Sequence, residues 1–162
     1  MLVPVTGLYI GVLGLVMLLL ASRVSAARIK LGASLGTDAA PSLLEAVRRH
    51  GNFVEWVPFA LLLMAACELN GLSPPYLHGA GLVLLLGRVL HPLGIKHNVI
   101  PQPFRAAGAT LTFGVVLALC VVAIWQFVGQ SSRLPVDGLA LRMQPTPVVS
   151  HHAMERHLDA GS

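Results

Sequence analysis

Charged residues are scarce in this sequence. Asp, Glu, Lys and Arg make up 11% of its 162 residues, whereas soluble domains carry roughly a quarter. So few charges cannot cover a water-exposed surface, which argues against an ordinary soluble domain. Hydrophobic residues make up 55% of the chain, and the mean hydropathy is +0.74. The composition therefore indicates an integral membrane protein.

The sequence is also poor in cysteine and in clustered metal ligands. Its two cysteines, Cys67 and Cys120, both lie within apolar tracts. Their positions indicate neither a disulfide framework nor a tetrahedral metal site, so we interpret them as small core residues. Three histidines, His151, His152 and His157, occur near the end of the chain without a pattern that would fix their geometry. We therefore expect no metal site.

Four apolar tracts are long enough, alone or with polar neighbours, to form transmembrane helices. The first and fourth tracts contain no charged side chain, whereas the second and third must include polar residues to reach spanning length. The sequence therefore predicts an all-α four-helix membrane domain over residues 1–130. The predicted spans cover residues 3–26, 43–69, 76–95 and 105–129. Residues 131–162 contain three prolines and no long apolar run, so we expect a disordered tail.

Positive residues lie in alternate connections between the predicted spans. The second connection contains neither lysine nor arginine. The positive-inside bias therefore places the first and third connections in the cytoplasm and both termini on the non-cytoplasmic side. Because membrane orientation explains the net charge of +4, we expect no nucleic-acid partner. The basic residues of the first connection are Arg23, Arg28, Lys30, Arg48 and Arg49, and those of the third are Lys96 and Arg105.

A cleavable signal peptide is the alternative interpretation of the first apolar tract. Val24, Ser25 and Ala26 resemble a small-residue cleavage site that follows an apolar region. A signal peptide would also carry a basic segment before that region, and none is present. Positive charge follows the tract instead, which favours a transmembrane helix.

Ionisable residues within the predicted spans are the candidate functional residues, because placing them in lipid costs ~2.5–3.5 kcal/mol on insertion scales. Arg48, Asn52 and Glu55 are spaced by four and three residues, so they lie on one face of the second helix. Arg88 and His91 share a face of the third helix. These positions predict a partly buried pocket with an excess of positive charge and a single carboxylate.

Such an excess of positive charge predicts an anionic ligand, because arginine grips carboxylates through paired hydrogen bonds. Arg28 and Arg105 flank the predicted pocket from the adjoining connections. A structural alternative stays open at this point. In that alternative Glu55 and Arg88 neutralise each other, and the arginines at 48 and 49 extend to lipid headgroups.

Residues 44–61, LEAVRRHGNFVEWVPFAL, resemble the signature of the MAPEG family, the membrane-associated proteins of eicosanoid and glutathione metabolism. Residues 87–91, GRVLH, resemble the matching motif of the third helix. The resemblance covers residues 1 to about 130 and is nearest to the bacterial branch of the family. It implies a homotrimer of four-helix bundles in a bacterial inner membrane. Glutathione would bind between neighbouring subunits near the cytoplasmic face.

The resemblance also implies roles for individual residues. Arg105 matches the arginine that holds the glutathione thiol as a thiolate and is the expected catalytic residue. Glu55 suits the ammonium of glutathione, and an arginine suits a carboxylate. The sequence has Gly51 where some members carry a basic residue, and Ile95 where the family has a tyrosine. The expected glutathione-binding residues are Arg28, Arg48, Asn52, Glu55, Arg88 and His91.

The function implied by the resemblance is that of a glutathione transferase or glutathione-dependent peroxidase acting on lipophilic electrophiles. Only the thiolate attacks an electrophile or a peroxide, so a nearby guanidinium accelerates the reaction. The expected partners are a second and third copy of the chain, membrane lipids and a lipophilic substrate. A non-catalytic membrane protein that binds a lipid or thiol ligand, or scaffolds a partner, is the alternative. Glutathione-dependent conjugation distinguishes the two.

Overall fold

The computed structural model describes residues 2–100 and 102–131, and these residues form four α-helices without any strand. Each helix is long and apolar enough to cross a bilayer. The chain is therefore an all-α membrane protein with a four-helix bundle, which confirms the predicted fold class. The predicted tail after Ser131, with its three histidines, lies outside the described residues. The helices are α1 (Pro4–Leu31), α2 (Pro41–Leu69), α3 (Pro74–Gly94) and α4 (Pro103–Ser131).

The ends of the helices follow local sequence signals. Each helix begins with a proline, whose missing N–H is not needed in the first turn. Helix α1 continues to Leu31, five residues beyond the predicted span of 3–26. Nothing in the intervening segment breaks a helix, and the first breaker is Gly32, which adopts a left-handed conformation with φ of 64°.

Helix α1 has no capping side chain of its own, and a carboxylate from another helix takes that role. Glu68, near the end of α2, accepts hydrogen bonds from the backbone N–H groups of Val5 and Thr6 at 2.9 and 2.8 Å. These are two of the first N–H groups of α1, which no helical carbonyl can satisfy. A negative charge there also complements the helix dipole. Glu68 therefore joins the end of α2 to the start of α1.

Two further contacts lie at the same end of the bundle. The Tyr9 hydroxyl of α1 donates to the carbonyl of His78 in the first turns of α3, at 3.0 Å. Gln126 of α4 donates to the Cys67 carbonyl near the end of α2, at 3.1 Å. The helices therefore alternate in direction along the chain, as short connections between neighbours favour. The candidate functional residues lie towards the opposite end of the bundle.

The centre of the bundle is an apolar core. The most completely buried apolar side chains come from α1, α2 and α3 and include Leu13, Met64, Cys67 and Leu84. Burial of Cys67 agrees with its interpretation as a small core residue, and Cys120 packs partly buried against the same cluster. Many other large apolar side chains are exposed on the outer faces, as expected for helices whose surroundings are lipid.

Candidate functional site

Helices α3 and α4 approach each other closely because two glycines face each other. A Cβ atom on Gly108 would lie 2.6 Å from both the Gly87 carbonyl oxygen and the His91 backbone nitrogen. Real Cβ atoms essentially never come within 3.0 Å of such neighbours, and backbone atoms cannot rotate away. Small residues at a helix crossing permit this kind of backbone contact in membranes. The crossing brings Arg88, next to Gly87, against the α4 backbone.

Arg88 is the centre of a buried hydrogen-bond network. Its side chain is 2% exposed. One terminal nitrogen donates to Asn52 Oδ1 at 2.9 Å, and the other donates to Thr112 Oγ1 at 2.6 Å and to the Gly108 carbonyl at 3.4 Å. The Thr112 hydroxyl in turn donates to the Gly108 carbonyl at 2.9 Å. A single guanidinium thus joins α2, α3 and α4 through neutral oxygen acceptors.

The structure does not show the ion pair of the structural alternative, in which Glu55 neutralises Arg88. The ion pair found among the described residues is that between Arg49 and Glu45, at 3.0 Å. Arg49 also donates to the Ile95 carbonyl, and Glu45 accepts a hydrogen bond from the His97 backbone N–H at 2.7 Å. Arg49 and Glu45 therefore hold the α3–α4 connection against α2.

A small polar cavity adjoins the Arg88 network. Its volume is about 190 Å³. Trp56 and Phe113 line it with an edge-to-face contact whose ring centroids are 4.6 Å apart. The cavity lies between α2, α3 and α4. Its lining residues are Asn52, Trp56, Arg88, His91, Arg105, Ala109, Thr112 and Phe113.

A larger cavity of about 660 Å³ shares three lining residues with the small one, namely Asn52, His91 and Arg105. Arg48 and Glu55 line it as well, so the predicted face of α2 does open onto a common space. Gly51 and Ile95, the two positions that differ from the family pattern, also lie in its wall. Six of the seven predicted site residues line one or both cavities. They are Arg48, Asn52, Glu55, Arg88, His91 and Arg105.

Arg105 lies where the two cavities meet, and a third glycine accounts for its position. A Cβ atom on Gly94, the last residue of α3, would overlap the backbone nitrogen of Arg105. The end of α3 and the first turn of α4 therefore touch, which places Arg105 beside His91. The Arg105 guanidinium donates to Gln102 Oε1 at 3.1 Å and is otherwise at the exposed rim of the site.

Arg28 is the predicted site residue that lines neither cavity. One of its terminal nitrogens lies 3.2 to 3.5 Å from the carbonyl oxygens of Ala33, Ser34 and Gly36 and donates to them. These bonds close the turn that follows α1. Within one chain Arg28 therefore stabilises a turn, and its role in ligand binding stays a prediction that needs a neighbouring subunit.

Sequence reasoning missed several residues that build the site. Thr112 accepts from Arg88 across 24 positions of sequence, and Gly94 and Gly108 permit the helix contacts that position Arg105 and His91. Small residues inside predicted spans were the available signal, because they mark close helix packing in membranes. That signal alone does not identify which positions pack against each other, since small residues occur throughout the spans.

Comparison with known proteins gives a consistent result. The MAPEG family model matches residues 6–125, which cover α2 and α3 and most of α1 and α4. The inner membrane protein YecN of Escherichia coli K12 is 31% identical over 121 residues, which cover 75% of this chain and 91% of YecN. YecN of Escherichia coli O6:H1 matches with the same values. Together with the four-helix membrane fold, these matches confirm the predicted resemblance, and the chain belongs to the MAPEG family.

Proposed function

We propose that this protein is a glutathione-dependent transferase or peroxidase that acts on lipophilic electrophiles at a bacterial inner membrane. The supporting observation is that six side chains expected from the resemblance line two adjoining cavities. Glutathione carries two carboxylates, an ammonium and a thiol. The larger cavity offers guanidinium groups from Arg48 and Arg105 together with the carboxylate of Glu55, so its charges complement those of the ligand.

The sizes of the cavities support a division of roles. A volume of about 660 Å³ lies within the usual range for small-molecule sites and suits the peptide part of glutathione. The thiol then lies near Arg105, where this cavity meets the small one. Lipophilic acceptors reach the sulfur from the bilayer. Glutathione is a co-substrate in this proposal, and no metal takes part.

The proposed reaction depends on the ionised thiol. Only the thiolate is strongly nucleophilic, and a guanidinium beside it favours the ionised form. In a transferase reaction the sulfur forms a bond to an electrophilic carbon, and the leaving group departs with the bonding electron pair. In a peroxidase reaction the sulfur attacks the O–O bond, and a second glutathione completes the reduction to alcohol and water with formation of the disulfide. Arg105 is the proposed catalytic residue for either reaction.

Glu55 supports the further proposal of a homotrimer. It lies fourteen residues from each end of α2, and its side chain is exposed in the single chain. A carboxylate at this position on a spanning helix normally faces a protein interior or a wet cavity. A neighbouring subunit that covers this face of α2 meets that need. Mass measurement in detergent should report three chains, and a monomer that binds glutathione would contradict the shared site.

The proposed orientation places the site near the cytoplasm and both termini on the other side. Single cysteines introduced at Ser73, in the α2–α3 connection, and at Gly32, after α1, report on the two faces of the membrane. A membrane-impermeant maleimide added to intact cells should label the cysteine at position 73 and leave that at position 32 unlabelled. The reverse labelling pattern would contradict the orientation that the positive-inside bias predicts.

Glutathione binding tests the proposed function directly. Glu55→Gln removes the carboxylate expected to hold the ammonium, and charged hydrogen bonds contribute about 1.5–3 kcal/mol, so affinity should fall about 10- to 100-fold. Thermal stability should stay near that of the wild type, because Arg88 takes its partners from Asn52 and Thr112. Calorimetric titration and thermal melting measure the two quantities.

Asp38→Asn is the matched control for Glu55→Gln. Asp38 is an exposed carboxylate in the α1–α2 connection and lines neither cavity, so its neutralisation should leave glutathione affinity unchanged. Wild-type affinity in Glu55→Gln would remove that residue from the site. Glutathione binding without conjugation of a generic aryl halide would favour the non-catalytic alternative.

A further inference from the structure

A separate cleft of about 490 Å³ lies between α1, α2 and α3. Its wall is largely apolar, and Leu19 and Leu93 at its rim are more than half exposed. On a membrane protein such exposed side chains face lipid, so the cleft opens towards the bilayer. The apolar lining residues are Val16, Leu19, Leu20, Ala27, Ala46, Val89, Pro92 and Leu93.

Three arginines, Arg23, Arg49 and Arg88, line this cleft. On α1 the apolar lining extends from Val16 to Leu20 and is followed by Arg23, which is seven residues, or about 10 Å, from Val16. Arg49 and Ser42 of α2 line the same end. No aspartate or glutamate is among the lining residues, although Glu45 pairs with Arg49 from outside the cleft. An apolar slot bordered by cations matches an amphiphile with an anionic head and a hydrocarbon chain.

Two buried donors next to the cleft support an acceptor-bearing ligand. The Nε atoms of Arg49 and Arg88 are buried and have no hydrogen-bond partner in the described structure. Both residues line the cleft, and Arg88 is 2% exposed. A buried donor without an acceptor costs free energy comparable to a lost hydrogen bond. Head-group oxygens, or water molecules that accompany them, supply such acceptors.

We propose that this cleft binds an anionic phospholipid of the surrounding membrane. The phosphate lies at Arg23 and Arg49, and one acyl chain follows Val16, Leu19 and Leu20. This site is distinct from the proposed glutathione cavities, although Arg88 borders both regions. The lipid proposal therefore does not depend on the proposed glutathione chemistry.

Competition between two lipids tests the proposal. The full-length protein is placed in nanodiscs that contain equal amounts of phosphatidylglycerol and phosphatidylcholine with identical acyl chains, and retained lipid is counted by native mass spectrometry. The wild type should retain phosphatidylglycerol preferentially, at one molecule per chain. A basic residue at a membrane surface contributes about 1 kcal/mol, so Arg23→Gln should lower the preference about fivefold. Arg23 is exposed, so this substitution leaves the fold intact.

Lys30→Gln is the matched control. Lys30 is also an exposed cation near the end of α1, but it does not line the cleft, so its neutralisation should leave the lipid ratio at the wild-type value. Equal retention of the two lipids by the wild type would overturn the proposal. An equal loss of preference in Arg23→Gln and Lys30→Gln would do the same, because it would indicate diffuse attraction. Efficient cross-linking between chains through Leu93→Cys would assign the cleft to a second copy of the protein.

Discussion

Arg105→Leu is expected to lower glutathione-dependent turnover about 100-fold, the usual effect of removing one preorganised group that stabilises charge in a reaction. The guanidinium lies where the two cavities meet, so its loss removes the positive charge nearest the proposed thiolate. Binding should weaken less, because Arg48, Asn52 and Glu55 are the residues proposed to hold the peptide. Ultraviolet absorbance of the thiolate at fixed pH, steady-state conjugation and calorimetric titration separate these effects.

Lys96→Leu is the matched control for Arg105→Leu. Lys96 is an exposed cation in the α3–α4 connection and lines neither of the two proposed glutathione cavities. Its loss should leave thiolate absorbance and turnover unchanged, which excludes a general effect of local charge. Arg105→Lys should retain part of the activity, since a lysine keeps the charge without the planar donor pair. Unchanged thiolate absorbance in Arg105→Leu would end the catalytic assignment of Arg105.

Gly108→Ala should destabilise the bundle by about 1–3 kcal/mol, the usual cost of overpacking a filled interior. The added methyl group would meet the Gly87 carbonyl and the His91 backbone nitrogen, and relief requires α3 and α4 to separate. Separation would stretch the bonds that Arg88 donates to Thr112 and to the residue 108 carbonyl. Thermal unfolding in detergent should show the loss of stability, and glutathione titration should show weaker binding.

Gly114→Ala provides the matched control for this prediction, because it makes the same substitution on the same helix. A Cβ atom on Gly114 would meet nothing within 4 Å, so the change should be neutral or slightly stabilising through helix propensity. Gly87→Ala should fall between the two, since its nearest contacts would be 3.0 Å. Equal melting temperatures for the variants at 108 and 114 would contradict the close contact of α3 and α4.

One part of the site was predictable because it depends on spacing within a single helix. Arg48, Asn52 and Glu55 share a face of α2 through helical periodicity, and the structure shows them around one cavity. The partners of Arg88 were not predictable in the same way. Opposite charge made Glu55 the partner in the structural alternative, yet the structure pairs Arg88 with Asn52 and Thr112. Which side chains meet Arg88 depends on how the helices are rotated about their axes.

The sequence by itself determined the class of the protein, the number of helices and the shared face of α2. The reason is that a helix needs about 20 apolar residues to cross the hydrocarbon core. An ionisable residue within such a tract is costly in lipid and can therefore be identified from the sequence as a candidate functional residue. The resemblance of residues 44–61 added the family, which the comparison confirmed. The start of each helix also depends on the local sequence, since each helix begins with a proline.

Only the tertiary structure decided which groups meet between helices. Glu68 caps α1 across more than 60 positions of sequence, and the α1–α2–α3 cleft combines Arg23 with Arg49. Between α3 and α4, contacts depend likewise on crossing distances that Gly87, Gly94 and Gly108 permit. Hydropathy and periodicity describe one helix at a time, so they carry no information about these distances.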